Sequence, residues 1–257
     1  MCCRLFRGDS TDGDAVVEVL GEPGAYDFAA RFDAADARFF GAGRAYPTFS
    51  TRGRVVLDGG AHVGAFTRLA LREGATRVLA FEPEPENAAW FRRNTQHCDA
   101  SAVELRECCL VGPSFAAGAA TLVLGKQRKS DGAQNTWRHA LETYNSYADD
   151  GKLERATVQT TGFFDALQDD VSYVKLDIEG AELDILAHDD PKAWRNVERL
   201  VFEYSFTKRR ELKHFRTVLK ALENAGFACF YDFKDTLDQA DVWDHHTDAL
   251  VFCARDL

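Results

Sequence analysis

The sequence predicts a doubly wound α/β fold, with a mostly parallel sheet covered by helices on both faces. Three observations predict it. Short apolar runs recur at strand length along the chain, helix-length segments separate them, and a glycine turn joins the first clear strand to the first clear helix. Alternating strands and helices with continuously apolar strands are the pattern of a parallel sheet buried on both sides.

The strands read as follows. Val55-Val56-Leu57 and Arg77-Val78-Leu79-Ala80-Phe81 are buried central strands, and Val103-Glu104-Leu105-Arg106 alternates as a half-exposed strand does. Tyr173-Val174-Lys175-Leu176 and Leu200-Val201-Phe202 follow, and Phe227-Ala228-Cys229-Phe230 and Ala249-Leu250-Val251-Phe252 close the sheet. Helices are expected at 65–72 and 86–94. A third places Leu212, Phe215, Val218, Leu219 and Leu222 on one face, with Gly226 where a C-terminal glycine belongs. Three regions break the rhythm. Residues 1–50 are polar and Gly-rich and read as an N-terminal extension capping the sheet. Ala120-Thr121-Leu122-Val123-Leu124 reads as an extra strand after the Gly-rich stretch 112–118. Residues 125–154 form a polar insertion carrying Trp137, His139, Tyr144 and Tyr147, of the length expected for a lid or binding loop.

A chain of 257 residues with 46% hydrophobic and 28% charged residues suits one large α/β domain with additions. No apolar run is long enough to cross a bilayer, and the N-terminus has no apolar signal core, so a cytoplasmic protein is expected. Seven cysteines without paired CxxC units argue against a disulfide framework and a structural zinc site, and Cys2 and Cys3 read as free thiols. The net charge of -10 lacks the basic footprint that nucleic acid rewards. A small or neutral partner is expected instead.

The glycine turn is Leu57-Asp58-Gly59-Gly60-Ala61-His62-Val63-Gly64, of form D-x-G-x-x-x-G. It departs from the dinucleotide fingerprint G-x-G-x-x-G, with Asp58 where the first glycine would stand. A pyrophosphate at a helix N-terminus is repelled by a nearby carboxylate, whereas a cationic group such as a methionine ammonium is attracted. Gly60 allows close backbone approach to a ligand, and Gly64 allows the helix to pack near it. Glu82, in Phe81-Glu82-Pro83-Glu84-Pro85, follows Asp58 by 24 residues, about one βαβ step. A carboxylate at the second strand tip accepts hydrogen bonds from both ribose hydroxyls. Together these features point to S-adenosylmethionine. Adenine is then placed near Glu107 and Cys108, at the tip of the third strand. Asp58, Gly59, Gly60, Ala61, His62, Gly64, Thr67, Glu82, Pro83, Glu107, Cys108 and Asp177 make up the expected cofactor side.

The densest charge motif is Val174-Lys175-Leu176-Asp177-Ile178-Glu179-Gly180-Ala181-Glu182-Leu183, at the end of a buried strand. Lys175 and Asp177 share one side of that strand, and Glu179 and Glu182, three apart, are expected on one face of the next helix. Charges on a buried strand are paired or functional. Asp177 is the first choice for the base that takes a hydroxyl proton, or for the anchor of the cofactor ammonium. Lys175 is expected to orient the acceptor or Asp177, and Glu203 is the second acidic choice. His62 and His139 read as structural or solvated. Asp177 and Glu203 lack a third ligand, so no metal is expected.

The motifs running from Val56 to Gly64, from Phe81 to Pro83 and from Val174 to Glu182, together with Phe202-Glu203, resemble the FkbM-type methyltransferase family. The resemblance spans roughly residues 55–205, and the lysine-aspartate-glutamate-glycine-alanine-glutamate block is its specific part. It implies a class I methyltransferase domain over 51–257, with a seven-stranded sheet and an antiparallel closing hairpin. It further implies S-adenosylmethionine as donor and O-methylation of a hydroxyl on a sugar or small metabolite. The chain departs from the family at His62, where asparagine is usual, and in the 125–154 insertion.

Three rival readings share parts of this pattern. A dehydrogenase shares the sheet but not the glycine spacing. An RNA ribose methyltransferase would use a local basic rim of Arg52, Arg54, Lys126, Arg128, Lys129, Lys208, Arg209 and Arg210. A non-catalytic module would bind the cofactor without turnover.

Overall fold

The computed structural model describes residues 50–124, 139–144, 153–188, 190–206, 212–232 and 247–255. The predicted extension over 1–50 (save Ser50), most of the 125–154 insertion, and the basic residues at 126–129 and 208–210 lie outside the described residues.

Chain order is β1 (Val55–Gly59), α1 (Ala65–Arg72), β2 (Arg77–Phe81), α2 (Pro85–Thr95), β3 (Val103–Arg106), β4 (Cys108–Val111), β5 (Gly118–Leu124), β6 (His139–Leu141) and β7 (Glu154–Gly162). Then come α3 (Phe163–Ala166), β8 (Val171–Leu176), α4 (Glu182–Leu186), a 3₁₀ turn (Pro191–Trp194), β9 (Arg199–Phe206), α5 (Leu212–Asn224), β10 (Ala228–Asp232) and β11 (Thr247–Ala254). The main sheet has seven strands in the order β10-β11-β9-β8-β1-β2-β3. Neighbours from β9 through β3 run parallel, and β11 is antiparallel to both β9 and β10. The chain winds outward from β1 to β3 and returns to β8 on the other side. The order therefore reverses between β1 and β8, where ligands of open α/β sheets gather beyond the strand ends.

Strand alternation assigns the two faces. Leu57, Leu79, Val174, Leu176, Leu200 and Phe202 pack against Phe163, Ile185, Leu186, Trp194, Phe215, Val218 and Leu222 from the later helices. On the opposite face Val56, Val78, Tyr173, Val201 and Phe252 meet Phe66 and Ala70 of α1, while Phe91 of α2 packs on Ala61 and Ala80. Side chains of this size each contribute about 1.5–3 kcal/mol when fully buried. Helix ends follow local chemistry. Pro85 opens α2 behind Glu84, whose carboxylate accepts the Asn87 N–H at 2.6 Å. α5 is closed off by Gly226 (φ 89°) just beyond its end, with Phe227 N–H on the Leu222 carbonyl and Gly226 N–H on the Glu223 carbonyl.

Two features correct the sequence reading. Between β3 and β8 the chain builds a second sheet, β4-β7-β5-β6, around Cys109, Val111, Leu122, Leu124, Leu141 and Val158. Only β5 of this sheet was expected as an extra strand. Of the insertion, 139–144 enter the sheet as β6 and a following turn, and Glu154 opens β7. Cys229 and Cys253, directly opposite on β10 and β11, form a disulfide, which the odd cysteine count does not announce. Among the described residues no helix is long and apolar enough to cross a membrane.

Candidate active site

The site is built at the carboxyl ends of β1, β2 and β8. After β1 the glycine turn is stitched to its neighbours: the Gly60 and Ala61 N–H groups donate to the Phe81 carbonyl, and Asp177 N–H donates to the Gly59 carbonyl. Gly60 (φ 73°) is required by a close approach of protein to protein. A β-carbon there would stand 1.8 Å from the Asp177 carbonyl oxygen. Gly64 (φ 90°) leaves room for the Phe91 ring of α2, 3.0 Å from where its β-carbon would lie. Asn94 of the same helix, nearly buried, donates to the Val63 carbonyl at 2.7 Å.

Asp58 is fully buried. One carboxylate oxygen accepts the Thr67 hydroxyl at 2.6 Å, and the other lies 3.4 Å from the Lys175 ammonium. Lys175 is itself 2% exposed and donates to the Gly59 and Gly60 carbonyls at 3.2 and 2.8 Å. This corrects the expectation that Asp58 meets a cationic ligand. Its charge is spent on Lys175, and Thr67 serves Asp58. Lys175 is likewise turned inward, where it ties β8 to the β1 turn. Asp177 stands 3.9 Å from the same ammonium with its side chain 29% exposed, so it presents the outward charge of the trio.

Glu82 lies where the sequence places it, at the tip of β2, and is buried. Its oxygens accept the His62 N–H and the Glu84 N–H, both at 2.9 Å, and the Asn87 amide at 3.4 Å. Burial pushes its carboxyl up to about 7, against the lowering effect of these three hydrogen bonds and with a further push from the charge of Glu84. Pro83 is half-buried beside it. The sequence reading missed Asn87 and Asn94, which secure Glu82 and the glycine turn. Their only signal is a spacing of seven, which puts both on one face of α2.

The motif after β8 differs from its expected form. Glu179 and Glu182 do not share a helix face. Glu179 sits in a left-handed turn (φ 57°), and α4 begins only at Glu182. The Glu182 carboxylate is buried and folds back onto the Ile178 and Gly180 N–H groups at 2.6 and 2.7 Å. Glu203 follows Phe202, the register partner of Leu176, and so stands level with Asp177 on the next strand. Glu107 is exposed and ion-paired with Arg92. Cys108 is half-buried against the main core, and burial raises its thiol. His62 carries a left-handed backbone (φ 50°), while His139 belongs to β6 of the smaller sheet. Among the described residues no group of three His, Cys, Asp or Glu side chains is arranged to hold a metal ion. Arg52 and Arg54 precede β1, at the sheet end opposite the site, and Arg54 pairs with Glu198 at 3.2 Å.

The strand order, reversing between β1 and β8, is that of a class I methyltransferase. The family described as Methyltransferase FkbM domain matches residues 58–229, about two thirds of the chain. The chain belongs to this family. Methyltransferase 1 of Beauveria bassiana (strain ARSEF 2860) is 27% identical over 183 residues, covering 67% of this chain and 72% of that protein. Methyltransferase FkbM from Methylobacillus flagellatus KT aligns over 93% of this chain and 52% of its own, at 17% identity and a TM-score of 0.45. M. jannaschii TYW2, solved in complex with AdoMet, aligns over 91% of this chain and 78% of its own, at 15% identity and a TM-score of 0.43.

Proposed function

We propose that this methyltransferase uses S-adenosylmethionine to methylate a hydroxyl of a sugar or other small metabolite. The observation that carries the reading is Glu82, a carboxylate buried beside the glycine turn and one loop away from the outward-facing Asp177. A carboxylate offers about four acceptor positions, and protein donors take three of them here. One position is left for a ribose hydroxyl, and the Glu84 N–H and the Asn87 amide fix Glu82 to receive it. Asp177 faces the reacting side. Its carboxylate attracts the ammonium and sulfonium of the cofactor and accepts the proton of an acceptor hydroxyl as the oxygen gains its methyl group. Bound S-adenosylmethionine supplies an electrophilic methyl group. The protein supplies alignment, which accounts for much of the rate in such displacements. Glu203, level with Asp177 on β9, is the second acceptor-side carboxylate in this reading.

The test is calorimetric titration with S-adenosylmethionine, S-adenosylhomocysteine and NAD, followed by transfer of a labelled methyl group to sugar, polyol, phenol and RNA acceptors. Binding of both methionine cofactors and label on a small hydroxyl compound is expected. NAD binding without response to either methionine cofactor, or label on RNA alone, would overturn the reading.

A further inference from the structure

Among the described residues, the two non-glycine positions with left-handed backbone are His62 and Glu179. They lie on the two loops that press together where Gly60 meets the Asp177 carbonyl. A side chain enters this backbone region only where its surroundings over-determine the turn. At His62 the restraint is its N–H bond to Glu82. At Glu179 it comes from Glu182, whose two carboxylate oxygens take the N–H groups of Ile178 and Gly180, one on each side. Glu182 is 3% exposed, and these main-chain donors offset the loss of hydration of its carboxylate. The start of the loop has its own anchor, the Asp177 N–H on the Gly59 carbonyl at 3.1 Å.

We propose that Glu182 is a positioning residue of the methyl-transfer site: by gripping the amides that flank Glu179, it holds the left-handed turn that sets Asp177 against the cofactor. Without that grip the turn loses the two main-chain restraints that flank Glu179, residue 179 relaxes toward ordinary backbone, and the Asp177 carboxylate shifts. The inference rests on the reading that Asp177 serves an S-adenosylmethionine site.

The test compares the wild-type protein with Glu182→Gln, Glu179→Gly and the double variant. The readouts are calorimetric affinity for S-adenosylhomocysteine and amide exchange at residues 178 and 180. Glutamine offers one acceptor oxygen, and its amide group opposes the second N–H. Glu182→Gln should lose about tenfold in affinity and expose both amides to faster exchange. Glycine adopts the left-handed turn unaided, so Glu179→Gly should bind as the wild type does. The double variant should recover to within about threefold of it. If Glu182→Gln does not fold, Glu182→Asp, too short to reach both amides, takes its place with the same rescue expected. Unchanged affinity in the Glu182 variant, or a loss that Glu179→Gly does not repair, overturns the inference and leaves Glu182 as a stabiliser of the fold. A wild-type protein that does not bind S-adenosylhomocysteine removes the cofactor reading, and this inference with it.

Discussion

Glu82 gives the site a pH dependence of definite sign. Its carboxyl is raised from 4.5 to about 7, mainly by burial. The folded protein therefore holds a proton between those values that the unfolded chain has released, and stability falls as pH rises through the window. Below about 4.5 both states are protonated and the penalty is absent; above 7 it is complete, at roughly 3 kcal/mol. Comparison with Glu82→Gln cancels costs that do not depend on pH. Between pH 5 and pH 8 the wild type should lose about 2–3 kcal/mol of denaturation free energy relative to the variant. Parallel curves would mean that the carboxylate ionises as an exposed one does. Cofactor affinity has the opposite slope, because the ionised carboxylate is the better acceptor for ribose hydroxyls. Below pH 7 the wild type should lose up to about tenfold in S-adenosylhomocysteine affinity per pH unit, and the variant should be weak and flat. The position of Glu82 was legible, since one βαβ step separates it from Asp58. Its elevated carboxyl was not, because that comes from burial in the folded chain, which outweighs the hydrogen bonds from Glu84, His62 and Asn87.

At the scale of elements, β1 and β8 are joined by the Asp58–Lys175 pair as well as by their ladder. Both ions are buried, so removing one strands the other. Lys175→Met should cost about 3–5 kcal/mol in chemical denaturation. Asp58→Asn combined with Lys175→Met should recover most of that loss. Asp177→Asn combined with Lys175→Met should not, because Asp177 lies farther from the ammonium and keeps access to water. Rescue by the Asp177 change instead would reverse the order of partners. The sequence shows that Lys175 and Asp177 share a side of the strand, but Asp58 is 117 positions from Lys175 and meets it only through the β1–β8 register. The same limit explains the other misses. α1 was read at its observed bounds because its periodicity is local. The second sheet pairs Cys108 with Gln159, and the disulfide pairs Cys229 with Cys253, across distances that no local pattern spans. Glu179 fits a helical spacing, and only the grip of Glu182 shows that the helix starts later.

For the whole molecule, the strand order is what converts scattered motifs into one site. The glycine turn, Glu82 and Asp177 come from positions 58–64, 82 and 177, and the reversal between β1 and β8 gathers them at one end of the sheet. A ligand seated there touches elements from both halves of the main sheet, so its binding free energy should stabilise the main sheet as a unit. A ligand that binds only the folded state at a hundredfold excess over its Kd adds about 2.7 kcal/mol. For a chain of this size that corresponds to a rise of roughly 5–10 °C in Tm. S-adenosylhomocysteine should give this shift and should move far-UV circular dichroism and intrinsic tryptophan fluorescence together. Trp194 reports the face of α3 and α5, since it packs on Phe163, Phe164 and Phe227, while Trp90 sits on α2 against Arg93. NAD at the same concentration should leave Tm unchanged, because the turn lacks the G-x-G-x-x-G spacing that seats a pyrophosphate at a helix N-terminus. A ligand-induced shift confined to one probe would show that the two halves melt separately and that the site does not bridge them. A shift with NAD and none with S-adenosylhomocysteine would place a different cofactor at the β1–β8 switch point.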